Sequence, residues 1–181
     1  NKSLNLNIKA IISNHRVAEE IANFSNIPFY YLPVAKDNKV SQEQEIKRII
    51  KEDNVQLIVL ARYMQVLSEG FTNEFEGKII NIHHSFLPSF KGAKPYHQAF
   101  ERGVKVIGAT AHYVTKDLDE GPIIEQDTQE VDHEMMPNDL VSIGRDIESR
   151  VLYRALKAHS EKRVFLNGKR TIVFKGHRKV G

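Results

Sequence analysis

The first third of the chain alternates short apolar runs with segments of helical periodicity, and this feature constrains the fold most. Residues 8–12 and 29–32 are apolar runs, and between them residues 17–22 repeat apolar side chains at helical spacing. A capping box that begins at Ser41 opens a second helix, which leads into the apolar run 55–61. This alternation predicts βαβ units, and therefore an α/β fold with an open, mostly parallel twisted sheet and helices on both faces.

The rest of the chain extends the same pattern and ends in a hairpin. With 181 residues, the chain is expected to form one domain over residues 1–181. The further predicted elements are a strand over 78–83, a short helix over 94–102 entered through Pro95, strands over 104–114 and 123–131, a long helix over 140–156 after the cap candidate Asn138, and a hairpin that turns at Asn167-Gly168.

Composition excludes several classes of function. The chain has no cysteine, which rules out disulfides and thiolate metal sites and favours the reducing cytoplasm. No apolar run approaches the roughly 20 residues that cross a bilayer, so we expect a soluble protein that does not bind membranes. The net charge of +3 suits a small acidic substrate better than nucleic acid, which needs a basic stripe with interleaved aromatic residues.

The first predicted strand is not followed by a phosphate-binding loop. Residues 13–15 are Ser-Asn-His, and neither G-x-G-x-x-G nor G-x-x-x-x-G-K-S/T occurs there. A dinucleotide or nucleoside triphosphate would lose its backbone cradle, so dehydrogenase and kinase functions are disfavoured.

The most informative segment is the polar cluster that closes the strand over residues 78–83. Asn81 and His83 are two positions apart, so both side chains leave the same face of the strand. An amide donor beside an imidazole suits acyl transfer, which needs a hydrogen bond to the developing oxyanion and a proton for the leaving amine. Ser85 adds a hydroxyl, and we expect the acidic loop with Asp119 and Glu120 to fold over the same edge, where Asp119 would hold His83 in its charged form.

Other interpretations of these residues remain open. Any single histidine here could be an ordinary structural residue, and His112 is equally compatible with a second polar wall of the pocket. A zinc site is disfavoured, because adjacent histidines on a strand face opposite ways and no H-E-x-x-H occurs. Tyr63 and Met64 are compatible with the wall of a ligand pocket or with plain core.

Three segments together resemble the formyltransferase family, which includes glycinamide ribonucleotide formyltransferase, and within it most nearly the 10-formyltetrahydrofolate deformylases. They are LARYMQVLS at 60–68, NIHHSFLPSFKGA at 81–93 and IGATAHYVTKDLDEGPIIEQD at 107–127. The resemblance covers essentially the whole chain and implies a Rossmann-like formyltransferase fold. It also implies that Asn81, His83 and Asp119 are catalytic, and that folate lies against residues 63–67 and 115–121. The substrate-binding residues expected from the motifs and the resemblance are Tyr63, Met64, Gln65, Leu67, Ser85, His112, Thr115, Glu120 and Gly121.

Two departures from the transferase pattern favour water as the formyl acceptor. The glycine-rich phosphate loop is replaced by residues 13–15, and the proline after the N-I-H motif is replaced by His84. The resemblance then implies hydrolysis of 10-formyltetrahydrofolate to tetrahydrofolate and formate, which feeds formate to purine biosynthesis and balances the one-carbon folate pool. Transfer to an amine such as glycinamide ribonucleotide, and a folate-binding module without activity, are the alternatives.

The resemblance carries further expectations. We expect no cofactor and no metal, since 10-formyltetrahydrofolate is itself the substrate. We expect no nucleic-acid partner, and a homo-oligomer is left open. Similar deformylases have a small regulatory ACT domain upstream of the catalytic domain, and this chain, which does not begin with Met, contains no such domain.

Overall fold

The computed structural model describes residues 4–35, 38–84, 94–117 and 119–176. They divide into two compact units, one comprising residues 5–57 and the other comprising residue 4 and the residues from 58 onward. Every side chain of the candidate site that is described below belongs to the second unit. None of the helices in the described ranges is both long enough and apolar enough to cross a membrane.

The first unit contains the predicted βαβ arrangement. Its elements are β1 (Ile11–Ser13), a 3₁₀ turn (Arg16–Ala18), α1 (Glu19–Phe24), β2 (Phe29–Tyr31) and α2 (Lys39–Glu52). β1 and β2 pair in parallel, with Ile11 opposite Phe29. The predicted capping box at Ser41 is wrong, because α2 begins two residues earlier and the Ser41 hydroxyl instead donates to the carbonyl of Asn38.

The second unit is built around a four-stranded sheet in the order β3-β4-β5-β6. Its elements are β3 (Ile58–Ala61), α3 (Glu69–Glu74), β4 (Ile79–His83), α4 (Pro95–Glu101), β5 (Val106–Tyr113), β6 (Ile123–Glu130), α5 (Pro137–Ser160), β7 (Val164–Asn167) and β8 (Arg170–Val173). β3 and β4 are parallel, whereas β5 pairs antiparallel with both β4 and β6. The predicted α/β fold with its parallel βαβ pairs and C-terminal hairpin is confirmed, and β7 and β8 form that hairpin.

The core of this unit lies between the sheet and α5. Ile80 and Ile82, which alternate with Asn81 and His83 along β4, and Ile147 and Val151 of α5 are buried, and α5 packs against β5 and β6. Each such side chain contributes about 1.5–3 kcal/mol when it leaves water. The apolar face of β4 is thereby anchored, and its polar residues project from a fixed strand.

One helix boundary differs from the sequence prediction, and one helix was not predicted. α5 starts at Pro137, so Asn138 lies inside the helix and is not its cap. The Asp139 carboxylate caps this end by accepting a hydrogen bond from the backbone N–H of Met136 at 2.8 Å. α3 was not predicted, and its first turn is capped by the Ser68 hydroxyl, which accepts from the N–H of Phe71 at 3.2 Å.

Candidate active site

The site is built on two adjacent strands. Asn81 and His83 project from the same face of β4, and in the antiparallel register Asn81 lies opposite His112 and His83 opposite Thr110. Alternate residues on paired strands share a face, so these four side chains meet above the sheet. His112 and Thr110 are almost fully buried. The predicted same-face pair therefore has a polar floor contributed by β5.

A short hydrogen-bond chain fixes Asn81. The Nδ1–H of His112 donates to the backbone carbonyl of Tyr113 at 2.9 Å, so Nε2 carries the lone pair in the neutral ring. Asn81 donates from Nδ2 to that nitrogen over 3.3 Å. The second N–H of the Asn81 amide stays available as a donor. The buried imidazole of His112 sets the direction in which this N–H points.

Asp119 reaches both histidines. Its Oδ1 lies 3.5 Å from Nδ1 of His83 and 3.8 Å from Nε2 of His112. The backbone of Asp119 has φ of 56°, a left-handed conformation that few residues other than glycine adopt and that aspartate tolerates better than most. A strained backbone at such a position is characteristic of functional sites.

The acidic loop reaches the end of β4, as expected, although the strand before the loop is antiparallel to β4. β5 runs antiparallel to β4, so its last residue, Tyr113, lies opposite Ile80 near the start of β4. The loop then returns toward the end of β4, which brings Asp119 to His83.

Burial dominates the electrostatics of the histidines. It is the main cause that lowers the pKa of His83, and the positive charges of His84 and His112 would lower it further. Asp119 raises the pKa of His83, but not enough to offset burial. The pKa of His112 is also lowered, again mainly by burial. The expectation that Asp119 holds His83 in its charged form is therefore wrong: the neutral ring is favoured.

A pocket opens beside these residues. Asn81, His112 and Asp119 form one wall, and residues that follow β3 and β5 form the others. The pocket is lined by Leu60, Tyr63, Gln65, Val66, Leu67, Thr72, Asn81, His112, Val114, Thr115, Lys116, Asp117 and Asp119.

The structure divides the expected substrate-binding residues into three groups. Those that line the pocket are Tyr63, Gln65, Leu67, His112 and Thr115. Met64, Glu120 and Gly121 are not part of the lining, and the side chain of Met64 points largely into solvent at 67% exposure. Ser85 lies outside the described residues.

Gly121 acts through the backbone and not as a pocket wall. A Cβ added at Gly121 would lie 1.7 Å from the carbonyl oxygen of Tyr113 and 3.2 Å from Nδ1 of His112. Only glycine allows this approach, which fixes the carbonyl that orients His112. Gly121 is therefore linked to the Asn81 amide through the Tyr113 carbonyl and His112.

The model of the formyl transferase family matches residues 1–156 of the chain. The chain belongs to this family. Among curated proteins, the chain is 52% identical over 172 residues to a formyltetrahydrofolate deformylase of Corynebacterium sp. (strain P-1), with 95% of the chain and 60% of the relative covered. It is 53% identical over 167 residues to the formyltetrahydrofolate deformylase of Bacillus subtilis (strain 168), with 92% and 56% covered. The chain thus spans about 60% of the length of these relatives.

Solved structures give the same assignment. The formyltetrahydrofolate deformylase of Burkholderia mallei superposes on the chain with a TM-score of 0.88 at 52% identity, over 94% of this chain and 60% of that one. The phosphoribosylglycinamide formyltransferase of Anaplasma phagocytophilum superposes with a TM-score of 0.84 at 32% identity, over 95% and 84%. The resemblance to the formyltransferase family is confirmed.

Sequence reasoning missed three pocket residues, Leu60, Thr72 and Val114, whereas Val66, Lys116 and Asp117 lie in the segments that were expected to contact the folate. Leu60 could have been found, because it precedes Tyr63 at the end of a predicted strand. Thr72 could not, because it lies on the unpredicted helix α3. In the described ranges, no three or more His, Asp or Glu side chains cluster closely enough to hold a metal ion.

Proposed function

We propose that the chain hydrolyses 10-formyltetrahydrofolate to tetrahydrofolate and formate. The observation that carries this proposal is the convergence of Asn81, His83 and Asp119: Asp119 Oδ1 lies 3.5 Å from His83 Nδ1, and Asn81 and Asp119 line one pocket. The relatives named formyltetrahydrofolate deformylase, at about half identity over nearly the whole chain, support the choice of substrate.

In the first step, His83 acts as the base. Its Nδ1 faces the Asp119 carboxylate, so Nε2 is the nitrogen that accepts a proton from water. The water oxygen bonds to the formyl carbon, and the carbonyl electrons move to its oxygen. The resulting imidazolium is stabilised by Asp119, as in other acid–histidine pairs.

In the second step, the tetrahedral intermediate collapses. Its oxyanion accepts a hydrogen bond from the Asn81 amide, whose position is fixed by His112. The carbon–nitrogen bond to N10 breaks, and N10 takes the proton from the His83 imidazolium. The products are tetrahydrofolate and formic acid, which loses its proton to solvent, and His83 returns to its neutral form.

We further propose that the folate lies in the pocket formed by the segments after β3 and β5. Tyr63, Gln65 and Leu67 supply an apolar and amide wall, and Lys116 adds a positive charge for an acidic ligand. Water is the acceptor, and the reaction as written needs no cofactor. The cytoplasmic location, the upstream ACT domain and the link to purine biosynthesis stay predictions.

The test is release of formate from 10-formyltetrahydrofolate by the chain, with and without an amine acceptor such as glycinamide ribonucleotide. Formate release without amine supports hydrolysis. If a formylated amine forms without formate, the reaction is formyl transfer and not hydrolysis. Transfer is the activity named for relatives at 26–32% identity. If the chain binds tetrahydrofolate but forms neither formate nor a formylated amine, it is a folate-binding module without activity.

A further inference from the structure

The histidine that follows β4, His84, is packed between His83 and a tyrosine. Its ring stacks on the ring of His83, with centroids 4.7 Å apart and planes inclined by 21°. On its other side the ring meets Tyr96 edge-on, with centroids 6.4 Å apart at 62°. The first contact covers one face of the imidazole whose Nδ1 lies 3.5 Å from Asp119.

Tyr96 is itself held firmly. Its hydroxyl, on α4, donates to Oε1 of Glu148 on α5 at 2.7 Å. The ring lies against Gly144, one turn before Glu148, where a Cβ would be only 2.0 Å from Cζ of Tyr96. The side chain of Tyr96 is 8% exposed. Two helices therefore provide a rigid support on which the His84 ring rests.

The charges around His84 come from several elements. Burial is the main cause that lowers its pKa, the charge of Arg62 lowers it further, and Glu148 and Asp119 raise it. Arg62 follows β3 in a left-handed backbone conformation, with φ of 55°. Nε2 of His84 is buried and has no hydrogen-bond partner among the described residues. An uncharged ring is thus the form that this environment accommodates.

We propose that His84 is a positioning residue for the hydrolysis, whose ring, supported by Tyr96, fixes the imidazole plane of His83 against Asp119. The inference rests on the proposed function. Its physical basis is that the reaction rate falls steeply when the catalytic base is misaligned. The orientation of the ring plane therefore matters more for turnover than for substrate binding. The stacked pair also resists a second proton, because two imidazolium rings at this distance repel each other.

The experiment compares His84→Ala and His84→Phe in the full chain, with His133→Phe as the control for a histidine exchange at an exposed loop position. Formate release from 10-formyltetrahydrofolate is measured over pH, giving kcat and KM. We expect His84→Ala to lower kcat about tenfold with KM within about twofold, because the support of His83 is lost. His84→Phe keeps the stack, so kcat stays near that of the unaltered chain.

The pH dependence separates positioning from a general structural role. His83 faces Asp119, His84 and His112, and His84 faces Glu148, Asp119, Arg62 and Tyr96. In His84→Phe the charge of His84 no longer opposes the protonation of His83, and only that of His112 still does. We therefore expect the acidic limb of kcat/KM to move to higher pH, and the His83 pKa, followed by NMR titration, to rise with it.

The outcomes distinguish this inference from the proposed function. If the unaltered chain releases no formate, the proposed function is wrong and this inference falls with it. If the chain is active and His84→Ala matches His133→Phe in kcat and pH profile, only the role of His84 is overturned. A loss in His84→Ala that His84→Phe does not restore would also overturn the stacking role.

Discussion

Asn81 of β4 lies directly opposite His112 of β5, and the Asn81 amide donates to Nε2 of His112 over 3.3 Å. His112 is 2% exposed and donates in turn to the Tyr113 carbonyl. A buried, neutral imidazole thus defines where the proposed oxyanion donor points. The orientation of Asn81 is a property of the strand pair and not of the loop that closes the pocket.

His112→Phe should lower kcat for formate release by about tenfold or more, because Asn81 loses the acceptor that holds its amide. The ring volume is nearly kept, so the fold should persist. His159→Phe is the matched control, since His159 is a half-buried histidine whose ring contacts the Tyr113 hydroxyl at 2.7 Å. Equal kcat in the two variants would show that His112 does not orient Asn81.

Much of this site follows from the sequence, and its limits have physical causes. The shared face of Asn81 and His83 follows from strand alternation alone. The hydrogen bond between Asn81 and His112 does not follow from the sequence. The two residues are 31 positions apart, and the direction and register of their strands depend on tertiary packing. The choice of Asp119 over Glu120 rests on the family resemblance, because the residues alone do not reveal the left-handed backbone at Asp119. The short helix α3 was missed because six residues carry too little periodicity.

The pH dependence of hydrolysis follows from the depressed pKa of His83. Its ordinary value is 6.5, and burial lowers it, so the neutral base persists to lower pH than in a free histidine. As pH falls through the depressed value, His83 becomes charged and can no longer accept a proton from water. The acidic limb of kcat/KM should therefore have its midpoint below 6.5. A midpoint above that value would contradict a neutral, buried base.

Stability should fall on acidification for the same reason. Burial lowers the pKa of His83, His84, His112 and His159 in the folded chain. As pH falls, the histidines of the unfolded chain therefore bind protons before those of the folded chain. The stabilisation present above about pH 6.5 is lost as pH falls toward the pKa values of the folded chain. Urea midpoints should be lower at pH 5.5 than at pH 7.5. An unchanged or higher midpoint at pH 5.5 would argue against these shifts.

Gly121→Ala should reduce turnover at least about tenfold, because its Cβ would overlap the Tyr113 carbonyl that orients His112. Gly70→Ala is the matched control. Gly70 lies in α3, has nothing within 4 Å of an added Cβ, and should gain stability as alanine in a helix. Activity of Gly121→Ala equal to that of Gly70→Ala would mean that the loop can move without disturbing the site.

The most direct test of the proposed chemistry is single-turnover formate release by Asn81→Ala and Asp119→Asn, with tetrahydrofolate affinity measured in parallel. Asn23→Ala and Asp146→Asn, both at exposed helix positions, are the matched controls. The account predicts that each site variant loses about a hundredfold or more in rate while tetrahydrofolate binds nearly as before and the controls stay active. Full turnover in either site variant, with binding intact, would contradict the assignment of Asn81, His83 and Asp119 as the catalytic group.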